Sequence, residues 1–160
     1  MTAPFVLFAE EAQLLKERCD DLQRAAYARA VFLIDRDGQL ITTSGESEHF
    51  DSTSLASLTA GKVAATDGIA KLIGEERGFP TQLHEGERES VHLSLVGERF
   101  ILVMIFDKRS SSGLVRLRAR RAQEQLEEIF ERARRRSTEG PSASFSELSD
   151  DDIDNLFRDS

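Results

Sequence analysis

Ala30-Val31-Phe32-Leu33-Ile34-Asp35-Arg36-Asp37-Gly38-Gln39-Leu40-Ile41-Thr42 is the stretch on which the architecture turns. Five apolar residues, rich in strand formers, end in Asp-Arg-Asp-Gly and are followed at once by a second short apolar run. Asp-Gly between such runs signals a tight hairpin, because both residues tolerate the left-handed backbone that reverses the chain. Upstream, Leu14, Leu15, Leu22 and Ala26 recur at helical spacing among charged residues, so a helix with one buried face is expected from Ala9 to Ala28. Downstream, Asp51 or Ser52 can accept from the free amides of the next turn. A long helix is expected from there to Leu72 or Ile73, closed by Gly74.

Gly78-Phe79-Pro80 forbids further helix, and Thr81 to His84 is expected as a short strand. Val91, Leu93 and Leu95 alternate with His92 and Ser94, which predicts a strand with one apolar and one polar face. Gly97-Glu98 turns it into Arg99 to Phe106, apolar throughout from Phe100 and therefore expected in the sheet centre, covered on both faces. After Asp107 to Gly113 a helix carries Leu117, Ala122, Leu126, Ile129, Phe130 and Ala133 on one side to about Arg136. The resulting order is α-β-β-α-β-β-β-α, an α+β fold with an antiparallel five-stranded sheet between helical layers. Residues 1–136 are expected as one domain, and 137–148, with Gly140-Pro141 among small polar residues, as a flexible linker. Residues 149–160 read as a C-terminal acidic helix with Ile153, Leu156 and Phe157 on one face.

Across 160 residues, 39% hydrophobic and 31% charged residues describe a soluble globular chain. The longest apolar run, Phe100 to Phe106, is far short of the roughly 20 residues of a membrane helix. Met1-Thr2-Ala3-Pro4-Phe5 carries no basic residue and no apolar stretch of a secretory signal, so a cytoplasmic location is expected, and the single Cys19 fits it. A net charge of −8 opposes binding to nucleic acid. Residues 141–160 alone contribute −5 of it, leaving −3 for the other 140 residues.

His49, His84 and His92 are scattered without zinc spacing, and no phosphate-binding glycine loop occurs, so neither metal, cofactor nor a catalytic residue is expected. Ser110-Ser111-Ser112-Gly113 reads as a helix cap rather than a phosphate loop. The last long helix holds Arg116, Arg118, Arg120, Arg121, Arg132, Arg134, Arg135 and Arg136, offset by Glu124, Glu127, Glu128 and Glu131. An ion-paired solvent face, docking of an acidic partner and, least favoured, nucleic-acid binding all fit it.

In the middle helix Ala56, Ala60, Ala64 and Gly68 recur every four residues, beside Ser57, Gly61 and Ala65. Leu55, Leu58, Val63, Ile69, Leu72 and Ile73 supply apolar bulk elsewhere around it, which would leave the small stripe outward as an interface. A tight helix-on-sheet crossing explains small residues equally well. The apolar stripe of the C-terminal helix is too short to fold alone; it is either a solubilising end or a segment that orders in a partner's groove.

Phe32-Leu33-Ile34-Asp35, Asp37-Gly38-Gln39-Leu40-Ile41 and Thr53-Ser54-Leu55-Ala56-Ser57-Leu58-Thr59-Ala60-Gly61 resemble the bacterial GTPase-regulating members of the Roadblock family. The resemblance continues through Ala70-Lys71-Leu72-Ile73-Gly74-Glu75, Phe79-Pro80, His84-Glu85-Gly86, Ile105-Phe106-Asp107, Gly113-Leu114-Val115-Arg116-Leu117-Arg118 and Ser149-Asp150-Asp151-Asp152-Ile153-Asp154-Asn155-Leu156-Phe157. It implies a Roadblock/longin-like fold and a homodimer that joins two sheets edge to edge with the middle helices side by side. It further implies that this platform contacts the switch regions of a Ras-like small GTPase of the MglA type, two subunits per GTPase. Carried over, the contact residues are Thr59, Ala60, Lys62, Val63, Ala64, Asp67, Gly68 and Lys71, with Asp67 standing where a smaller residue is expected. The resemblance implies stimulated GTP hydrolysis without an inserted arginine, the GTPase's own groups being repositioned. Asp152, Ile153, Leu156 and Phe157 would dock the C-terminal helix away from the switches and promote nucleotide exchange. A regulator of cell polarity and gliding motility, concentrated at a cell pole, follows from the same resemblance. The competing reading is a Roadblock scaffold that binds a GTPase or motor complex without stimulating it.

Overall fold

The computed structural model describes residues 7–147, with side chains as far as residue 138. Its elements in chain order are α1 (Ala9–Ala26), β1 (Ala30–Asp35), β2 (Leu40–Gly45), a 3-10 turn (Ser47–His49), α2 (Ser52–Leu72), β3 (Thr81–Glu85), β4 (Ser90–Val96), β5 (Phe100–Phe106) and α3 (Ser112–Glu147). The sheet order is β2-β1-β5-β4-β3 and every neighbouring pair is antiparallel. α1 and α3 cover one face and α2 the other. The two hairpins and the all-apolar centre strand fall where periodicity predicts them.

Each boundary has a local cause. Asp35 Oδ1 accepts from the amides of Asp37 and Gln39, and Gly38, at φ +88°, completes the three-residue loop; beyond it the register shifts between Leu33 and Ile34, where Ile41 of β2 is the extra residue of a bulge. Asp51 caps α2 by accepting from the Ser54 amide at 3.1 Å. Gly74, at φ +88°, lets the chain leave α2 in the left-handed region.

The larger core lies between the sheet and the α1/α3 pair. Leu15, Cys19, Leu22 and Ala26 of α1 meet Val115, Ala119, Ala122, Leu126 and Phe130 of α3 over Val31, Leu33, Leu102 and Met104. Cys19 is therefore a core residue, and burial, with the Asp20 carboxylate beside it, pushes its thiol up to about 12. Glu11 is fully buried at the edge of this layer, bonded by Arg136 at 2.7 Å, and Arg132 reaches Glu10 at the same distance. These pairs fasten the start of α1 to the far half of α3.

Two expectations require correction. The polar face of β4 is not exposed: His92 and Ser94 are buried under α3, because α3 extends over β4 as well as β5. Residues 137–147, expected as linker, continue the backbone of α3. Once a helix is nucleated each added residue gains a hydrogen bond, and the backbone series runs on through Gly140 and Pro141 although a proline there removes a donor and crowds the preceding turn. The C-terminal segment Ser149–Phe157 lies outside the described residues.

Candidate functional site

α2 approaches the sheet through small side chains. Ala56, Thr59, Ala60, Val63 and Ala70 are buried beneath it, against a core of Phe32, Ile34, Ile101, Val103 and Ile105. The approach is tightest over the β1–β2 turn, where a Cβ on Gly38 would stand 3.2 Å from Ser57 Cα and 3.6 Å from Ala60 Cβ. A large residue at 56 or 60 would lift the helix off this turn.

The small stripe is consequently not one surface. Four-residue spacing advances about 40° beyond a full turn at each step, so the series winds around the helix. Ala56 and Ala60 face the sheet, whereas Ala64 and Gly68 face solvent. Bulk predicted to lie inside points outward instead: Leu58 is 74% exposed, Ile69 53%, Leu72 87% and Ile73 65%. With Gly61 and Ala65 between them, these residues form an uncovered apolar face along the length of α2.

The eight residues selected on α2 therefore divide. Thr59, Ala60 and Val63 are sealed against the sheet and present no side chain to a partner, since the tight crossing claims them. Lys62 donates to Gln82 Oε1, and Gln82 Nε2 donates to Thr66 Oγ1 at 3.1 Å, tying α2 to β3; partial burial holds the Lys62 ammonium below its usual value. Asp67 accepts from Arg36 Nη1 at 2.6 Å and lies against Gly78, where a Cβ would come within 2.7 Å of its Oδ1. Arg36 also donates to the Glu98 carbonyl. Asp67 thus pins two turns to the C-terminal half of α2, which accounts for an acid in place of a small residue. Ala64, Gly68 and Lys71 remain outward. Sequence reading passed over Leu58, Ile69 and Leu72; the available signal was that α2 is apolar nearly all round, more than one sheet contact can cover. Asp152, Ile153, Leu156 and Phe157 lie outside the described residues.

The Arg36–Asp67 pair is about one-third exposed, 32% and 29% by side chain. A double-mutant cycle with Arg36→Ala and Asp67→Asn is expected to give a coupling of about 0.5–1 kcal/mol in urea unfolding. Zero coupling would show that the pair does not hold the turn to the helix.

The remaining sequence candidates are dispersed. His49 lies in the 3-10 turn, His84 is exposed on β3, and His92 is under α3. Among the described residues no three His, Cys, Asp or Glu side chains are grouped to hold a metal ion. No described helix is long and apolar enough to cross a membrane. On α3, Arg132 and Arg136 are paired to α1 and Arg134 to Glu131, so the far half of this basic helix is an ion-paired face.

Residues 14–106 match the Roadblock/LC7 domain. The chain belongs to the Roadblock/LC7 family. It is similar to Myxococcus xanthus MglB, with 51% identity and a TM-score of 0.76 over 80% of this chain and 96% of that one. The gliding protein MglB of Thermus thermophilus is 32% identical, with a TM-score of 0.75 over 82% of this chain and 99% of that one. An MglB with a tetrameric arrangement is 32% identical as well, with a TM-score of 0.76 over 83% of this chain and 99% of that one. No curated protein sequence matches the chain. Within the Roadblock architecture, the apolar outward face of α2 is uncovered, and β3, like β2 at the other end of the sheet, has an outer edge with no strand beside it among the described residues.

Proposed function

We propose that this Roadblock protein is a homodimeric activator of a Ras-like small GTPase of the MglA type. The carrying observation is the apolar outward face of α2, where Leu58, Ile69 and Leu72 flank Gly61, Ala65 and Gly68. A monomer in water gains nothing by exposing these side chains, and paired α2 helices would bury part of them while leaving Ala64, Gly68 and Lys71 as a low platform for the switch regions. Antiparallel pairing of two β3 edges satisfies the free ladder groups of that strand. Likeness to the MglB proteins, one of them in a tetrameric arrangement, supports self-association and a regulatory role of the same general kind.

Hydrolysis in this reading is accelerated by positioning. The arginines of α3 lie on the opposite sheet face from α2, and Arg36 beside α2 is occupied by Asp67 and the Glu98 carbonyl. The GTPase's own arginine and glutamine, pressed into place by the platform, would supply the charge and orient the water. The test is phosphate release by the purified GTPase with and without this protein. Arg77, exposed just past α2, provides the control. Arg77→Ala is expected to leave the stimulation within about two-fold, whereas an inserted arginine is worth about 10³–10⁵ in rate. A collapse of that size would replace positioning by an arginine finger; binding without any stimulation would select the scaffold reading.

The acidic C-terminal segment is assigned a second contact away from the platform, through Asp152, Ile153, Leu156 and Phe157, that promotes nucleotide exchange. Deletion of residues 148–160 is expected to slow stimulated release of a fluorescent GDP analogue at least several-fold while sedimentation still reports a dimer. Unchanged exchange, or a monomer, would remove that role.

A further inference from the structure

On the sheet face opposite α2, β3 and the first turn of α3 enclose a cleft of about 310 Å³ lined by Thr81, Leu83, His92, Ser112, Gly113 and Arg116. We propose that this cleft is a binding site for a phosphate-class oxyanion, held by the Ser112 and Gly113 amides, Arg116 and His92. The inference is independent of the GTPase-activating role.

Four observations converge. α3 is long, so its first turn carries a full complement of free amides and the positive end of the helix dipole. Ser111 Oγ accepts from the Leu114 amide at 3.2 Å, which caps the helix as the serine run implies, but leaves the Ser112 and Gly113 amides without an intrahelical acceptor. Gly113 has no atom within 4 Å of where a Cβ would be, so a ligand can reach the backbone there. Arg116, one helical turn on, is exposed, makes no ion pair among the described residues, and extends the same positive field.

His92 points to a ligand independently of the helix. It is only 3% exposed, yet neither ring nitrogen has a hydrogen-bond partner, and it lines the cleft from β4. Ser94, next on the same strand face, has an equally unpartnered hydroxyl. Buried polar atoms are normally satisfied, so an imidazole buried without a partner at a positive helix end is a donor awaiting an acceptor. The surroundings carry no acid: β3 contributes Thr81 and Leu83, β5 contributes Met104 opposite His92, and α3 contributes Arg116. Burial first, and the Arg116 charge second, hold the imidazole below its ordinary value; it is the Arg116 guanidinium and the helix end, not the burial, that favour an anion here.

The test uses the full chain, isotope-labelled, titrated with inorganic phosphate at constant ionic strength while the His92 ring signals and the Gly113 amide are followed by NMR. The expected result is a joint saturable shift at both positions, with the apparent Kd raised at least ten-fold by Arg116→Met. Arg116 is exposed, so an unchanged melting curve separates lost binding from lost fold. A parallel titration with phenyl phosphate distinguishes a phosphomonoester, if it binds tighter, from free phosphate, if it binds weaker. Shifts that rise linearly, that are matched by chloride or acetate, or that survive Arg116→Met would overturn the site.

Discussion

Ala64→Arg and Gly68→Arg are each expected to return GTP turnover by the partner GTPase to its unstimulated rate while the protein's own melting temperature stays within a degree or two. Both positions face solvent, and a Cβ at Gly68 meets no atom within 4 Å, so nothing in the protomer opposes the new side chain. A guanidinium standing on a flat docking surface adds several ångströms of bulk and a charge that the partner must desolvate. Loss of stimulation with retained fold therefore locates the platform. Ala60→Arg is the informative contrast: Ala60 is 8% exposed and meets the β1–β2 turn, so the same change there unfolds or displaces α2. If Ala64→Arg and Gly68→Arg both leave phosphate release unchanged, α2 does not dock the GTPase.

Phe32→Ala is expected to lower unfolding stability by about 3–5 kcal/mol, read from the urea midpoint at constant slope. Phe32 is fully buried on the α2 face of the sheet and meets Phe50 edge-on at 6.1 Å between ring centroids. Because α2 contributes mostly small side chains to this core, the ring is a large part of what the helix rests on. Amides of α2 are expected to lose hydrogen-exchange protection before those of α1 and α3, whose contacts lie in the other core. A cost below about 1 kcal/mol, or uniform loss of protection, would show that α2 is held by something else.

Element order, hairpins and helix caps were legible because each has a local cause: Asp37-Gly38 in a turn, Asp51 before Ser54, Gly74 after Ile73, and an unbroken apolar run in β5. The Roadblock assignment was legible for the same reason, since its marks are contiguous residues from Phe32 onwards. The alternation His92-Leu93-Ser94-Leu95 misled on exposure, since a polar residue under a covering helix has the same spacing as one in water. Ion-paired arginines were foreseen only as a class; that Arg132 and Arg136 reach Glu10 and Glu11, more than 100 positions earlier in the chain, is a property of the α1–α3 contact.

By itself the order of residues determined that α2 is a helix, that it carries small and large apolar residues all round, and that an acid interrupts its C-terminal half. Which of those residues are buried was decided only when the helix settled on the sheet. Gly38 and the β1–β2 turn draw Ala56 and Ala60 inward, Arg36 claims Asp67, and Leu58, Ile69 and Leu72 are left outside. Periodicity specifies angles around a helix axis, whereas the rotation of that axis against its neighbour is set by close packing with residues far away in the chain.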